Sequence, residues 1–281
     1  MPFTGPRARA IVDPVSAAPV TLEGWYVLHE MYAVDWPRWN GLGGADRDAV
    51  VAEATALLER QAAPRDGHSG SWTLLTHKGD LCLMHWRRDL EALRAEEVAL
   101  ARTRLRAFLV PAYSYLSVIE LGTYDLAGHA EARLKTRGVA PEGAQLEEEM
   151  RQMAAPRLFP KIPPRRYLCF YPMSKRRGEQ VNWYDLPPAA RAELMRGHGE
   201  IGRRYAGRVT QVIAGSVGLD DWEWGVTLFA DDPLVFKKLV HEMRFDPASS
   251  RYALFGPFYV GIRFAAAKLA EVLRTGVGGA D

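Results

Sequence analysis

Apolar positions along this chain fall into two alternating rhythms. Residues 21–35 (TLEGWYVLHEMYAVD) are rich in aromatic and β-prone residues and predict a strand. Residues 46–62 carry an apolar stripe at Val50, Ala54, Leu57 and Leu58, which predicts a helix with Asp46 as its cap. Two strand-like runs, SWTLLTH and DLCLMHW within 69–86, are joined by Lys78-Gly79-Asp80 and predict a hairpin. A second helix is expected over 88–108, with Leu90, Leu93, Val98, Leu105 and Phe108 among its apolar positions, followed by a strand at Tyr113–Leu121. Strand, helix, hairpin, helix, strand is the ferredoxin-like split βαβ order.

Residues 125–165 interrupt the rhythm with a charged helical stretch (QLEEEMRQM) and the Pro-rich run APRLFPKIPPRR, which read as a linker. The order then repeats. A strand is expected at 166–173, a helix at 187–206, strands at 208–216 and 222–230, a helix at 232–243 and a strand at 255–264. The fold expectation is α+β: a flexible tail at 1–19, one ferredoxin-like half at 20–124, a linker at 125–165 and a second half at 166–281. Each half should carry an antiparallel sheet with helices on one face.

Composition narrows the function classes. With 281 residues, 48% hydrophobic, the chain can bury a sizeable core. Lys plus Arg number 36 against 34 Asp plus Glu, so bulk charge gives no case for nucleic acid or membrane binding. Two cysteines, Cys82 and Cys169, exclude a disulfide framework and a Cys-only zinc site. The start of the chain has no apolar core of signal-peptide length, and no window could span a membrane. The default compartment is the cytoplasm.

His198 is the most informative histidine. On a helix it shares a stripe with Leu194, Ile201 and Tyr205, and Gly197, Gly199 and Gly202 surround it. Glycines next to the ring would let a broad flat ligand approach the helix. The same pattern fits a core histidine bonded to a carbonyl, with glycines for close helix packing. Tyr171 shares a strand face with Tyr167, Cys169 and Met173, and Lys175, Arg176 and Arg177 follow it. A phenol beside cations suits an anionic substrate or a tyrosine that gives up an electron and a proton. It also suits a strand-end tyrosine with solvated charges behind it. Gln211 alternates with Val209 and Ile213, which puts an amide on an apolar face, for the fold or for a ligand. The acids of Gly218–Gly225 match no EF-hand spacing and read as a turn entering a strand. His241 falls opposite its helix's apolar stripe and is expected at the surface. The remaining histidines form no zinc motif.

Several longer motifs occur in order: Tyr171-Pro172-Met173-Ser174-Lys175-Arg176-Arg177, Asn182-Trp183-Tyr184, Met195–Gly202, Gly218–Phe229 and His241-Glu242-Met243-Arg244-Phe245-Asp246. Together they resemble the coproheme decarboxylase branch of the chlorite dismutase-like superfamily, densely over 157–261 and thinly before. The resemblance implies two ferredoxin-like halves forming a dimeric α+β barrel in one chain, with haem in the second half, usually as a homopentamer. It implies peroxide-driven loss of carbon dioxide from two of the four propionates of iron coproporphyrin III (coproheme), giving haem b through a three-propionate intermediate. The porphyrin is then both substrate and redox cofactor.

Carried over residue by residue, the resemblance makes His198 the proximal iron ligand and Tyr171 the catalytic tyrosine, which becomes a radical and takes hydrogen from a propionate side chain. Lys175 becomes a propionate-facing lysine that assists decarboxylation, and Gln211 the distal residue. Arg157, Arg244 and Ser249 match propionate-holding positions, and Met173 joins the porphyrin-binding set. Chlorite dismutases place an arginine where Gln211 stands, which ranks chlorite dismutation low; no histidine in the Tyr113–Leu121 strand suggests the distal-histidine variant. The implied partners are coproheme, hydrogen peroxide, further copies of the chain and a transient coproporphyrin ferrochelatase contact. A non-catalytic haem or coproheme carrier, and a haem peroxidase of the same superfamily, are the rival readings.

Overall fold

A computed structural model describes residues 21–276 except 63, 65 and 123; the expected tail at 1–19 lies outside the described residues. Among the described residues nine strands carry the fold: β1 (Thr21–Val34), β2 (His68–Leu74), β3 (Leu81–Arg87), β4 (Leu109–Gly122), β5 (Tyr167–Lys175), β6 (Val209–Gly215), β7 (Trp224–Ala230), β8 (Ala253–Phe255) and β9 (Tyr259–Phe264). They hydrogen-bond in the order β7-β6-β4-β1-β3-β2-β9-β5-β8, every pair antiparallel, and β7 also pairs with β5. That last pairing closes eight strands into a barrel and leaves β8 on the rim of β5. The fold is therefore mixed, an antiparallel sheet with helices against it.

Strict alternation along each strand divides the apolar side chains between two sides of this wall. Met31, Trp72, Met84, Trp86, Tyr115, Phe170 and Phe229 point inward and form one core. Outside, β1 and β3 carry α2 (Gly44–Ala62) and α3 (Leu90–Ala101), while β5, β6 and β7 carry α6 (Pro188–Arg203) and α7 (Leu234–Met243). The Tyr167, Cys169, Tyr171 and Met173 face predicted for β5 lies on this second outer side. Among the described residues no helix is long and apolar enough to cross a membrane.

Local chemistry moves several boundaries. The expected cap Asp46 lies inside α2, which begins two residues earlier at Gly44. The helix expected over 88–108 stops at Ala101, because Thr103 adopts an extended backbone and its hydroxyl donates to the Leu100 carbonyl (2.8 Å). A separate 3-10 turn then covers Arg104–Phe108. The strand expected over 255–264 is two strands. Gly256 donates to Pro172 O (2.9 Å), and Pro257 has no N–H to continue the ladder. Residues 125–165 hold α4 (Tyr124–Thr136) and α5 (Gly143–Leu158), which pack together and onto β1 and β4 through Leu126, Ala154 and Leu158. Short helices α1 (Trp36–Asn40), α8 (Pro247–Ser250) and α9 (Leu269–Thr275) complete the described chain.

Candidate active site

β5 lies between β7 and β9, and its register sets the site. Tyr171 pairs with Val226 of β7, which pairs with Ile213 of β6; Cys169 pairs with Leu228, which pairs with Gln211. Cross-strand neighbours share a face, so Tyr171, Val226, Leu228, Gln211 and Ile213 form one surface beneath α6 and α7. Tyr171 stands two strand spacings, about 10 Å, from Ile213, and Gln211 lies two residues further along β6 on the same face. The half-buried amide of Gln211 is the polar group between Val209 and Ile213 on one face of β6.

Tyr171 is buried in aromatic company. Its ring stacks on Phe258 (centroids 4.5 Å apart) and tilts against Phe255 (5.8 Å). Burial pushes its phenol pKa up, and the charge of Arg244 opposes this. Arg244 itself is exposed at the end of α7, with its guanidinium 3.9 Å from the Phe255 ring centroid. Phe255 thus bridges the cation to the phenol.

Four residues along β5, Lys175 returns to the same face and is 9% exposed. Its Nζ lies 4.1 Å from the Trp183 ring centroid and donates to Ala248 O (3.3 Å). Its backbone N–H donates to Glu223 Oε2 (2.7 Å). Burial pulls the ammonium pKa down to about 8, with Asp246 and Glu223 resisting. A positive charge held so shallowly suits a group that meets an anion or moves a proton.

His198 is aimed by Asp246. The Nδ1–Oδ2 distance is 2.7 Å, and Ser249 Oγ lies 3.4 Å from the same nitrogen and 3.1 Å from the same carboxylate oxygen. Asp246 also caps α8, accepting from the amides of Ala248 and Ser249. A carboxylate placed there accepts a hydrogen bond from Nδ1–H and leaves the Nε2 lone pair available for a metal. The neighbouring glycines are not required by packing within the chain. A Cβ on Gly197 would meet nothing within 4 Å, and on Gly199 only Arg203 at 3.5 Å. No residue of α6 is buried, although Leu194 and Ile201 keep their stripe beside His198. An apolar stripe only partly covered by protein, ending in an oriented imidazole, fits a broad apolar ligand carrying iron.

Contacts therefore join Tyr171, Lys175, His198, Arg244 and Ser249 into one region, and strand register adds Met173 and Gln211. Arg157 sits exposed in the last turn of α5, and no described contact ties it to the others. Asp246, Glu223, Phe255 and Phe258 were not singled out from the sequence. Asp246 and Glu223 stand inside two of the quoted motifs, which was the available signal. His241 is exposed, edge-on to Phe245.

A sequence model of the family described as chlorite dismutase matches residues 47–264. The chain belongs to the chlorite dismutase family. Within that family it is 45% identical over 247 residues to a coproheme decarboxylase of Staphylococcus saprophyticus, covering 87% of this chain and 93% of that one. It is 44% identical to a protein of Haloquadratum walsbyi described as heme-binding, across 92% of this chain but 48% of that one. The chain thus spans about half the length of that haloarchaeal relative. Among solved structures, a heme-binding protein from Thermus thermophilus superposes with a TM-score of 0.78 at 40% identity, covering 92% of this chain and 98% of that one. A mutant chlorite dismutase from Candidatus Nitrospira defluvii superposes at 0.69 with 23% identity, covering 91% of this chain and 98% of that one, which speaks for the shared fold of the family alone.

Proposed function

We propose that this chain is a peroxide-dependent coproheme decarboxylase, with iron coproporphyrin III lying between the β5–β6–β7 face and α6. The observation that carries the reading is the placing of an oxidisable phenol, Tyr171, and a weakly held cation, Lys175, on the face that His198 borders. The 45% identity to a named coproheme decarboxylase supports it.

Bound iron porphyrin, with peroxide, supplies the oxidising equivalents. His198 would hold the iron through Nε2, with Asp246 accepting from Nδ1–H and so turning Nε2 towards the metal. Gln211 would offer peroxide a neutral amide, which gives less to an anionic oxidant such as chlorite than an arginine would. Tyr171 gives up one electron and its phenolic proton, then recovers a hydrogen atom from the β-carbon of a propionate. Lys175 holds that carboxylate in place. Each propionate loses two electrons, one proton and carbon dioxide as it becomes a vinyl group. One peroxide takes up two electrons and two protons and becomes two waters. Arg244, Arg157 and Ser249 serve the other propionates, Arg through charge-assisted bonds and Ser as a neutral donor. Met173 lines the same face.

Two ferredoxin-like halves, at 20–124 and 166–281 around the 125–165 linker, belong to the same reading, supported by the repeated order of strands and helices. So do a homopentamer, a cytoplasmic location and transient contact with a coproporphyrin ferrochelatase.

The test is mass spectrometry of the porphyrin after mixing the protein with iron coproporphyrin III and stepwise peroxide. Two successive losses ending at haem b are expected. Tight binding with an unchanged porphyrin mass would point instead to a carrier. Oxidation of a generic reductant without propionate loss would point to a haem peroxidase.

A further inference from the structure

Lys175 is the inner end of a run of ring contacts that leads to the surface. Its Nζ faces the Trp183 ring, Trp183 meets the Tyr252 ring edge-on (centroids 5.4 Å apart), and the Arg251 guanidinium lies 5.7 Å from the Tyr252 ring centroid. Trp183 and Tyr252 are buried, whereas Arg251 is exposed. Arg176, also exposed, starts from the same tyrosine: its backbone N–H donates to Tyr252 O (2.7 Å). Neither arginine belongs to the set that resembles propionate holders, although Arg251 follows Ser249 by two residues.

Their charges are not neutralised within the chain. Among the described residues no ion pair includes Arg176, Arg244 or Arg251. By contrast, Arg177 lies 3.5 Å from Glu223, Arg196 on α6 pairs with Glu200 (3.1 Å), and Arg204 pairs with Glu242 (2.8 Å). The buried acids of this region are committed inward. Glu223 accepts from the Lys175 N–H, and Asp246 from His198 and the amides of α8. The segment after β5 also exposes Glu179, at the tip of the turn closed by the Arg177–Asn182 bridge, and Asp185. Three unpaired guanidiniums and Lys175 therefore stand against two exposed carboxylates, which leaves this end of β5 positive.

Charge at the surface works differently from charge inside a site. Through water it adds little to the energy of a bound complex. It does act, over the screening length, on a ligand that is still approaching. A porphyrin with four peripheral carboxylates is a ligand on which such a field acts strongly.

We propose that Arg251 and Arg176 form a capture point for the porphyrin carboxylates, drawing the ligand towards Lys175 and setting the rate of binding rather than the rate of release. The proposal rests on the reading of the Tyr171–Lys175 face as the porphyrin site. It adds a preference: the substrate, with four carboxylates, is captured faster than the product, with two.

Stopped-flow association of iron coproporphyrin III with the whole protein, followed by haem absorption, tests it. Charges act over about 30 Å at about 0.01 M salt and over about 3 Å at about 1 M. At the lower salt Arg251→Gln and Arg176→Gln should each slow association about fivefold, and the double variant more. At the higher salt all three should match wild type. Dissociation should change less than about twofold, since a rim charge acts on the on-rate. Association of haem b should slow only about twofold, because it offers fewer charges to the field. Arg102→Gln, which removes an exposed cation just after α3 on the closed face, should leave the rates unchanged. Association indifferent to Arg251→Gln and Arg176→Gln at low salt would overturn the proposal. So would a loss that persists at high salt or lies in dissociation, or an equal loss in Arg102→Gln. Failure of the wild-type protein to bind the porphyrin at all would overturn the reading on which the proposal rests, and the proposal with it.

Discussion

The barrel has two outer faces built from the same parts, and they are finished differently. On β1 and β3, α2 and α3 lie directly on the strands. Leu57, Leu81, Leu83, Leu100 and Leu105 are all buried, and Leu269, Val272 and Leu273 seal the rim. Some polar groups beneath that cover pair with one another: Tyr32 donates to Glu30 (2.5 Å) and Arg87 pairs with Glu96 (2.7 Å). On β5, β6 and β7 the sheet side is equally apolar, but α6 buries nothing of its 16 residues and Ile213 is 41% exposed. The difference shows where a barrel of this design keeps stability and where it keeps room for chemistry. Close packing of one face holds the fold while the other is left polar at chosen points, namely His198, Gln211, Lys175 and Arg244.

Removing the His198 imidazole should break the contrast most completely. His198→Ala is expected to lower decarboxylation by more than the roughly hundredfold that loss of a residue behind a metal ligand brings, and to alter the haem absorption spectrum. An unchanged spectrum would argue against ligation by His198. Asp246→Asn keeps the shape but gives Nδ1 a weaker acceptor. Activity or iron affinity should fall about 10–100-fold, with a shifted iron–histidine vibrational frequency reporting the loss of imidazolate character.

A paired substitution sharpens the comparison between the faces. Leu57→Ala on the closed face should cost about 2–5 kcal/mol in denaturant unfolding. Ile201→Ala on the open face should cost less than about 1 kcal/mol in the protein alone, because its side chain is already partly in water. It should instead weaken porphyrin binding, measured by titration. Equal stability losses at both positions would mean that the open face is packed like the closed one.

The pH profile gives the smallest effect. Burial sets the Lys175 ammonium pKa at about 8, below the usual 10.5. The charged form is present below that pH and is lost above it. The value of kcat/KM, which reports the free enzyme, should therefore fall as pH rises through about 8. Lys175→Gln should be slower at pH 7 and should lack that limb. The same depressed pKa makes the charged, buried lysine a liability to folding that is relieved between pH 8 and 10.5, so the loss of rate there should not be accompanied by a loss of stability from this group.

Much of this contrast was legible in the sequence. Alternation on β5 put Tyr167, Cys169, Tyr171 and Met173 on one face, and helical spacing put His198 with Leu194, Ile201 and Tyr205, because both periodicities are local. The pairing of Asp246 with His198 was not legible, since it joins residues 48 apart through the approach of α6 and α8. The barrel was expected from the resemblance, whereas the pairings β2–β9 and β4–β6, which join strands far apart in the chain, have no local signal. Residues 125–158 read as a charged interruption because only a few positions, among them Leu126, Ala154 and Leu158, turn inward there.

The central claim is that Tyr171 carries the oxidation. Replacing it by phenylalanine keeps the stacking on Phe258 and removes only the hydroxyl. The decisive measurement is the mass of iron coproporphyrin III after peroxide treatment with Tyr171→Phe and wild-type protein side by side. Both proteins should bind the porphyrin. Wild type should remove two propionates, and the variant should leave the porphyrin mass essentially unchanged. Normal conversion to haem b by Tyr171→Phe would contradict the claim and move the oxidation to another residue.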